Sequence, residues 1–200
     1  MNRITVILAV PFILILAFLA YELFYLDDSS HSIWLIPPVV ALTVLYVFHN
    51  QIDHWWMKKK SPDPDIQMVR ILDHKVEAFR KLPLEHKKKF SRQLNVYVFG
   101  SEYLGMGIKN IPDDIKFITS AFAFFYGDLD DTAWIENFNR YAFYKHPFLS
   151  PNYPETVHTA EHHQEDGIFI FSLEQLIPAI EHPAQHYNIA LHEFGAAYLK

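Results

Sequence analysis

Chemistry in this chain is concentrated in one dipeptide, His192-Glu193, set in the apolar, helix-forming run NIALHEFGAAYLK at residues 188–200. In the helical pattern H-E-x-x-H, two histidines four apart face the same way and hold a zinc ion. The Glu beside the first activates the metal-bound water. Here the first His and the Glu are present, but the position of the second His is Ala196, which has no lone pair to offer. Half of a metal motif is also what a chance dipeptide on an amphipathic helix looks like, so its meaning depends on the elements that would position it.

Other ligand patterns are weaker. His158 and His162 are four apart and His163 is adjacent, but residues 153–166 are polar, without an apolar stripe, and read as a solvated loop. His182 and His186 are also four apart, just before the last helix; His186 and His192, six apart, fall on different faces of one helix. Asp128, Asp130 and Asp131 lack the Gly and the distant Glu of a calcium loop and read as a surface loop that ends a helix. There is no cysteine, which excludes disulfides, thiolate catalysis and Cys-ligated zinc. A net charge of −6 gives no footprint for nucleic acid, and no nucleic-acid partner is expected.

The first 57 residues read as a membrane hairpin. Residues 4–21 carry no charge, and the first span is placed at about residues 4–26. Pro11 can kink such a helix without preventing it from spanning. A second apolar run, residues 33–48, carries Pro37-Pro38 in its first turn and needs residues up to 52 for a full span. Arg3 precedes the first span, Asp27-Asp28-Ser29-Ser30-His31-Ser32 between the spans has no Lys or Arg, and Lys58-Lys59-Lys60 follows. The positive-inside rule then puts both ends in the cytoplasm, with Trp34, Trp55 and Trp56 at the interfaces. The expected location is the inner membrane, with the remainder of the chain facing the cytoplasm.

Residues 58–65 form a linker in which Pro62 and Pro64 stop a helix and Asp65 can cap the next one. Residues 66–81 and 86–99 then read as amphipathic helices, the second with Lys87, Lys88, Lys89 and Arg92 on a solvated face. Residues 115–126 are almost wholly apolar and predict a central buried helix ended by Gly127. Residues 139–145 read as a strand, and Gly167-Ile168-Phe169-Ile170-Phe171-Ser172 as the clearest strand of all, with Ser172 capping a short helix. Half of the residues are hydrophobic and 16% are aromatic, enough to fill a core. The fold class expected is therefore α+β, preceded by a two-helix transmembrane hairpin.

In their order, the helix at 84–99, the turn Phe99-Gly100-Ser101-Glu102-Tyr103-Leu104-Gly105, the buried helix at 115–127, the strand ending Lys145-His146-Pro147-Phe148, the strand at 167–172 and Asn188-(apolar)3-His192-Glu193 resemble the Mlc titration factor A family of bacterial zinc-dependent peptidases, over roughly residues 83–195. The resemblance implies a zincin-like domain at residues 66–200, His192 as first zinc ligand and Glu193 as general base. It also implies that residues 167–172 are the edge strand that aligns a peptide substrate by main-chain pairing. The family's second ligand falls at Ala196 and its third lies past Lys200, so zinc is expected from the family while these residues match one ligand of three. The domain is expected to be incomplete at its C-terminal side and to be inactive as it stands. The alternative, which the family also implies because its namesake binds a transcriptional repressor, is a non-enzymatic module that captures a protein partner.

Overall fold

The computed structural model describes residues 4–25, 32–60, 63–127, 129, 132–150 and 153–199. Arg3, the expected turn from Asp27 to His31, Ser61-Pro62 of the linker and Asp128, Asp130 and Asp131 lie outside the described residues. The chain forms two compact units, Met1–Lys60 and Ser61–Lys200, each described here by itself.

In the first unit, α1 (Ile4–Tyr25) is a 22-residue helix that Pro11 does not break. At 1.5 Å per residue it reaches about 33 Å, long and apolar enough to cross a bilayer core of roughly 30 Å. The second apolar run differs from the single span expected at 33–52. A 3-10 turn (Ser32–Leu35) leads into α2 (Ile36–Val47), and the axis then bends by 68° before α3 (His49–Lys60). The bend falls at Phe48, where an apolar sequence gives way to His49, Asn50 and Gln51. The His49 Nδ1–H donates to the Tyr46 carbonyl at 2.7 Å and so serves an acceptor at the break. α3 returns to the beginning of α1, where the buried carboxylate of Asp53 accepts from the Thr5 backbone N–H at 3.0 Å. That N–H is one of the donors a helix N-terminus leaves unsatisfied.

The second unit begins at α4 (Ile66–Lys75), capped by Asp65, whose Oδ1 accepts from the Gln67 N–H at 2.8 Å. The helix expected over 66–81 is interrupted at Val76, which is extended and buried; a short α5 (Glu77–Arg80) follows. The interruption brings Phe79 onto Phe90 of α6 (Leu84–Gly100), ring centroids 5.3 Å apart and edge-on. Phe90, Leu94 and Tyr97 form the buried stripe of α6. The central buried helix is α7 (Asp113–Ala123), and Gly127 follows its last turn at φ +76°.

A four-stranded mixed sheet supports the site. Its order is β1 (Glu102–Met106), β2 (Arg140–Tyr144), β6 (Ile168–Ser172), β5 (Ala160–His163). The first three are parallel and β5 runs antiparallel to β6. The 99–105 stretch read as a turn thus supplies a strand, and the residues read as a solvated loop supply β5 as well as β4 (Val157–His158), which pairs with the short β3 (Phe148–Leu149). The expected edge strand is not an edge: β6 is flanked by β2 and β5, so the main chain of Ile168, Phe169, Ile170, Phe171 and Ser172 is paired on both sides, and Gly167 lies in the preceding turn. Ser172 occupies the cap position of α9 (Leu173–Glu181) without a side-chain capping bond. Tyr141, Phe143, Phe169 and Phe171 of the sheet join the main core, which α10 (Ile189–Tyr198) closes through Phe194. Ala142 and Ile170 face the other way, under Phe148.

Two phenols, Tyr97 and Tyr141, are buried in this core, and that of the half-buried Tyr103 is turned into it. The Tyr97 hydroxyl donates to the Phe138 carbonyl, which leaves Tyr141 to donate to the Tyr97 oxygen at 2.7 Å; Tyr103 pairs with Ser120 Oγ at 2.7 Å. Burial pushes all three phenols well above their ordinary range. Below about pH 10 the folded and unfolded chains are both protonated at these groups, and stability does not depend on them. Above it the unfolded chain ionises first, so each phenol removes about 1.4 kcal/mol of stability per pH unit. In an alkaline titration, three of the eleven tyrosines should ionise only as helical circular dichroism is lost. Smooth ionisation of all eleven with the fold intact would contradict this burial.

Candidate functional site

α10 starts where the sequence placed it. Asn188 Oδ1 accepts from the Leu191 N–H at 3.0 Å, and Ile189, Ala190, Phe194 and Ala197 turn into the core. Successive residues of a helix point about 100° apart, so anchoring Phe194 sets the two residues before it on different sides. His192 is exposed, its ring 5.6 Å from that of Tyr187. Glu193 turns toward the sheet, with its side chain 15% exposed.

There it meets a residue of the supposed loop. On β5, Ala160 and His162 share the core-facing side, and Glu161 and His163 the other. His162 stands opposite Phe169 of β6, its ring 5.9 Å from that of Phe169 and 6.2 Å from that of Phe138. Its Nδ1–H donates to Glu193 Oε2 at 2.7 Å, and its side chain is only 8% exposed. The pair therefore fastens α10 to the outer strand of the sheet.

The outer side of β5 is equipped differently. Glu161 Oε1 accepts from Ser150 Oγ–H at 2.8 Å and lies 3.5 Å from His163 Nε2. An open cleft of about 820 Å³ runs along this face, lined by His163, Arg140, Ile168 and Ile170 with the turn that joins β5 to β6.

The edge of β5 is the third feature. The Ser172 N–H bonds to the Thr159 carbonyl at 2.8 Å, which makes Thr159 and Ser172 a hydrogen-bonded antiparallel pair. Such pairs alternate. Glu161 and His163 therefore direct their main-chain groups toward β6, while Ala160 and His162 direct theirs outward. Among the described residues no strand pairs with that outward edge.

The described residues do not fit a three-ligand zinc centre. Ala196, one turn beyond His192, contributes no donor; Glu193 is bonded to His162 while His192 points to solvent. His162 and His163, adjacent on a strand, face opposite sides of the sheet. His158 lies on β4 beside Tyr153, and His182 and His186 are exposed with their rings 6.4 Å apart. Among the described residues, no three His, Cys, Asp or Glu side chains gather closely enough to hold a metal ion.

The sequence reading singled out His192 and Glu193 but gave His162 no role beyond a loop histidine. One signal pointed to β5: Asp166-Gly167 ahead of an apolar strand is a hairpin dipeptide. Gly167 sits at φ +60°, its N–H bonds to the Gln164 carbonyl at 3.2 Å, and a Cβ there would meet the Asn137 carbonyl oxygen at 2.4 Å. Compared with family models, curated proteins and solved structures, the chain gives no match.

Proposed function

We propose that this chain is a membrane-anchored, zincin-like module that captures an extended peptide segment of a protein partner along β5 and does not cleave it. The observation that carries the reading is the outer edge of β5, where among the described residues no strand pairs and the main-chain groups of Ala160 are directed outward, with the strand fastened from behind by Glu193. Strand addition takes its affinity from main-chain hydrogen bonds and its selectivity from side-chain pockets. Here the cleft beside His163 and Arg140 offers such a pocket.

The anchor in this reading is a hairpin. Asp53 of α3 bonded to Thr5 of α1 keeps the two ends of the first unit together, and Lys58 to Lys60 favour the cytoplasmic side for both. Cysteines placed at Ser30 and Ser61 should separate in labelling by an impermeant reagent on intact cells, Ser30 reacting and Ser61 not. Labelling at Ser61 alone would reverse the orientation.

A second reading, a peptidase of the Mlc titration factor A type, draws on the Asn188-capped helix with His192 and Glu193 beside an antiparallel outer strand. It would require Glu193 to leave His162 and metal ligands to come from outside the described residues. One experiment separates the two. The full chain in detergent is screened against an array of unstructured peptides, with Ala160→Pro as comparison. Proline removes an N–H that points away from β6, a position where an edge strand tolerates it. Peptide capture should fall at least about tenfold, the loss of roughly one good hydrogen bond, with the fold retained. Unchanged capture by Ala160→Pro, or stoichiometric zinc with chelator-sensitive cleavage, would overturn the reading.

A further inference from the structure

We infer that α3 is an interfacial helix that binds anionic phospholipid headgroups at the level where α1 enters the bilayer; this rests on the membrane-anchor reading above. Three independent features of the first unit converge on it.

The first is direction. The 68° bend at Phe48 turns the chain away from the axis of the preceding apolar helix, and the residues that follow, from His49 to His54, are mostly polar. A helix of that composition is unsuited to the hydrocarbon, but it can lie along its boundary. The second is depth. The bond from the Thr5 N–H to Asp53 ties α3 to the first turn of α1, and Met57, one turn further, is buried on the same side. Since α1 is about as long as the hydrocarbon is thick, its first turn lies at the boundary, and α3 with it.

The third is chemistry. On the side turned away from α1, Trp55 is 58% exposed, and the Lys59 ammonium lies 5.1 Å from the centroid of its ring; at the end of the helix Lys60 sits 5.6 Å from that of Trp56. An indole has an apolar body and one N–H donor, which suits the level between acyl chains and headgroups. An ammonium held over the ring stands where a phosphate would lie. The whole chain carries a net charge of −6, so this cationic end of α3 is a local feature and not the sign of the molecule. A phosphodiester surface complements it in both charge and polarity.

The full chain is reconstituted in phosphatidylcholine vesicles with and without phosphatidylglycerol. Quenching of tryptophan fluorescence by brominated phosphatidylglycerol is compared with quenching by brominated phosphatidylcholine. The unmodified chain should prefer the anionic lipid, and the preference should weaken with salt. Lys59→Gln/Lys60→Gln should reduce it by about fivefold per lysine, while Lys109→Gln in the second unit leaves it unchanged. Equal quenching by the two lipids, or a preference that survives the double substitution, would overturn the inference. Retention of the chain by vesicles after an alkaline wash reports the anchor separately. Retention with no lipid preference rejects the role of α3 alone, and loss of retention rejects the anchor and this inference together.

Discussion

Phe169→Ala is expected to cost the second unit about 3–5 kcal/mol, the cost of removing a buried aromatic ring and leaving a cavity. The ring is fully buried, 4.5 Å by centroid from both Phe138 and Phe194, and it touches Tyr141, Phe171 and His162 within about the same shell of aromatic contacts. No small neighbour can move in to fill the space, because each of these rings is held by a different element. Domains of this size are stable by only about 5–15 kcal/mol, so the variant should unfold at much lower urea concentration or fail to accumulate. A loss below about 1 kcal/mol would mean that Phe169 is not at the junction of sheet and α10.

The second expected result concerns His162 and Glu193. Removing either partner should cost about 2 kcal/mol, because a hydrogen bond between two largely buried side chains is lost. In a double-mutant cycle of His162→Ala and Glu193→Ala the coupling should be about 1.5–3 kcal/mol. Glu193→Gln, which keeps an acceptor oxygen in place, should lose less than Glu193→Ala. Hydrogen exchange of β5 and α10 in the full chain would report this locally; 2 kcal/mol corresponds to roughly thirtyfold faster exchange. The sign matters for function. A carboxylate held ready for catalysis is commonly a cost to the fold, and removing it stabilises. A gain in stability from Glu193→Ala would therefore argue against the fastening role and for a catalytic one.

What could be read from the sequence follows from how each element is buried. α10 was legible because Asn188 caps it and its apolar residues repeat at helical spacing. α7 was legible because residues 115–126, most of which it contains, are largely apolar and aromatic. The strand at 168–172 was found but placed wrongly. A run such as Ile-Phe-Ile-Phe, apolar on both faces, belongs to the interior of a sheet, whereas an edge strand exposed on one side would have alternated. β5 escaped for the opposite reason: Ala160-Glu161-His162-His163 has no hydrophobic pattern, because one of its inward positions is filled by a histidine with a carboxylate for partner. β1 lies in the stretch read as a turn, which ends at Gly105. That glycine is needed not for the strand but because the chain folds back over it, and a Cβ would lie 2.3 Å from the Ile108 carbonyl oxygen. The bend at Phe48 left a compositional trace, since the polar residues from His49 onward, counted as the tail of a span, begin where the helix axis turns.

The parallel sheet also sets an order of events during synthesis. β1, β2 and β6 are far apart in sequence, and the rings of α6 and α7 cannot be covered until Phe169 and then Phe194 have been made. At 5–20 residues per second, roughly 100 residues separate Phe90 from Phe194, so the growing chain carries uncovered aromatic surface for about 5–20 s. Throughout that interval α1, made before it, is already available to a membrane. On the membrane-anchor reading the nascent second unit waits for α10 while tethered beside a lipid surface, where hydrophobic side chains have somewhere else to go, and its timely closure is a matter for whatever shields it there.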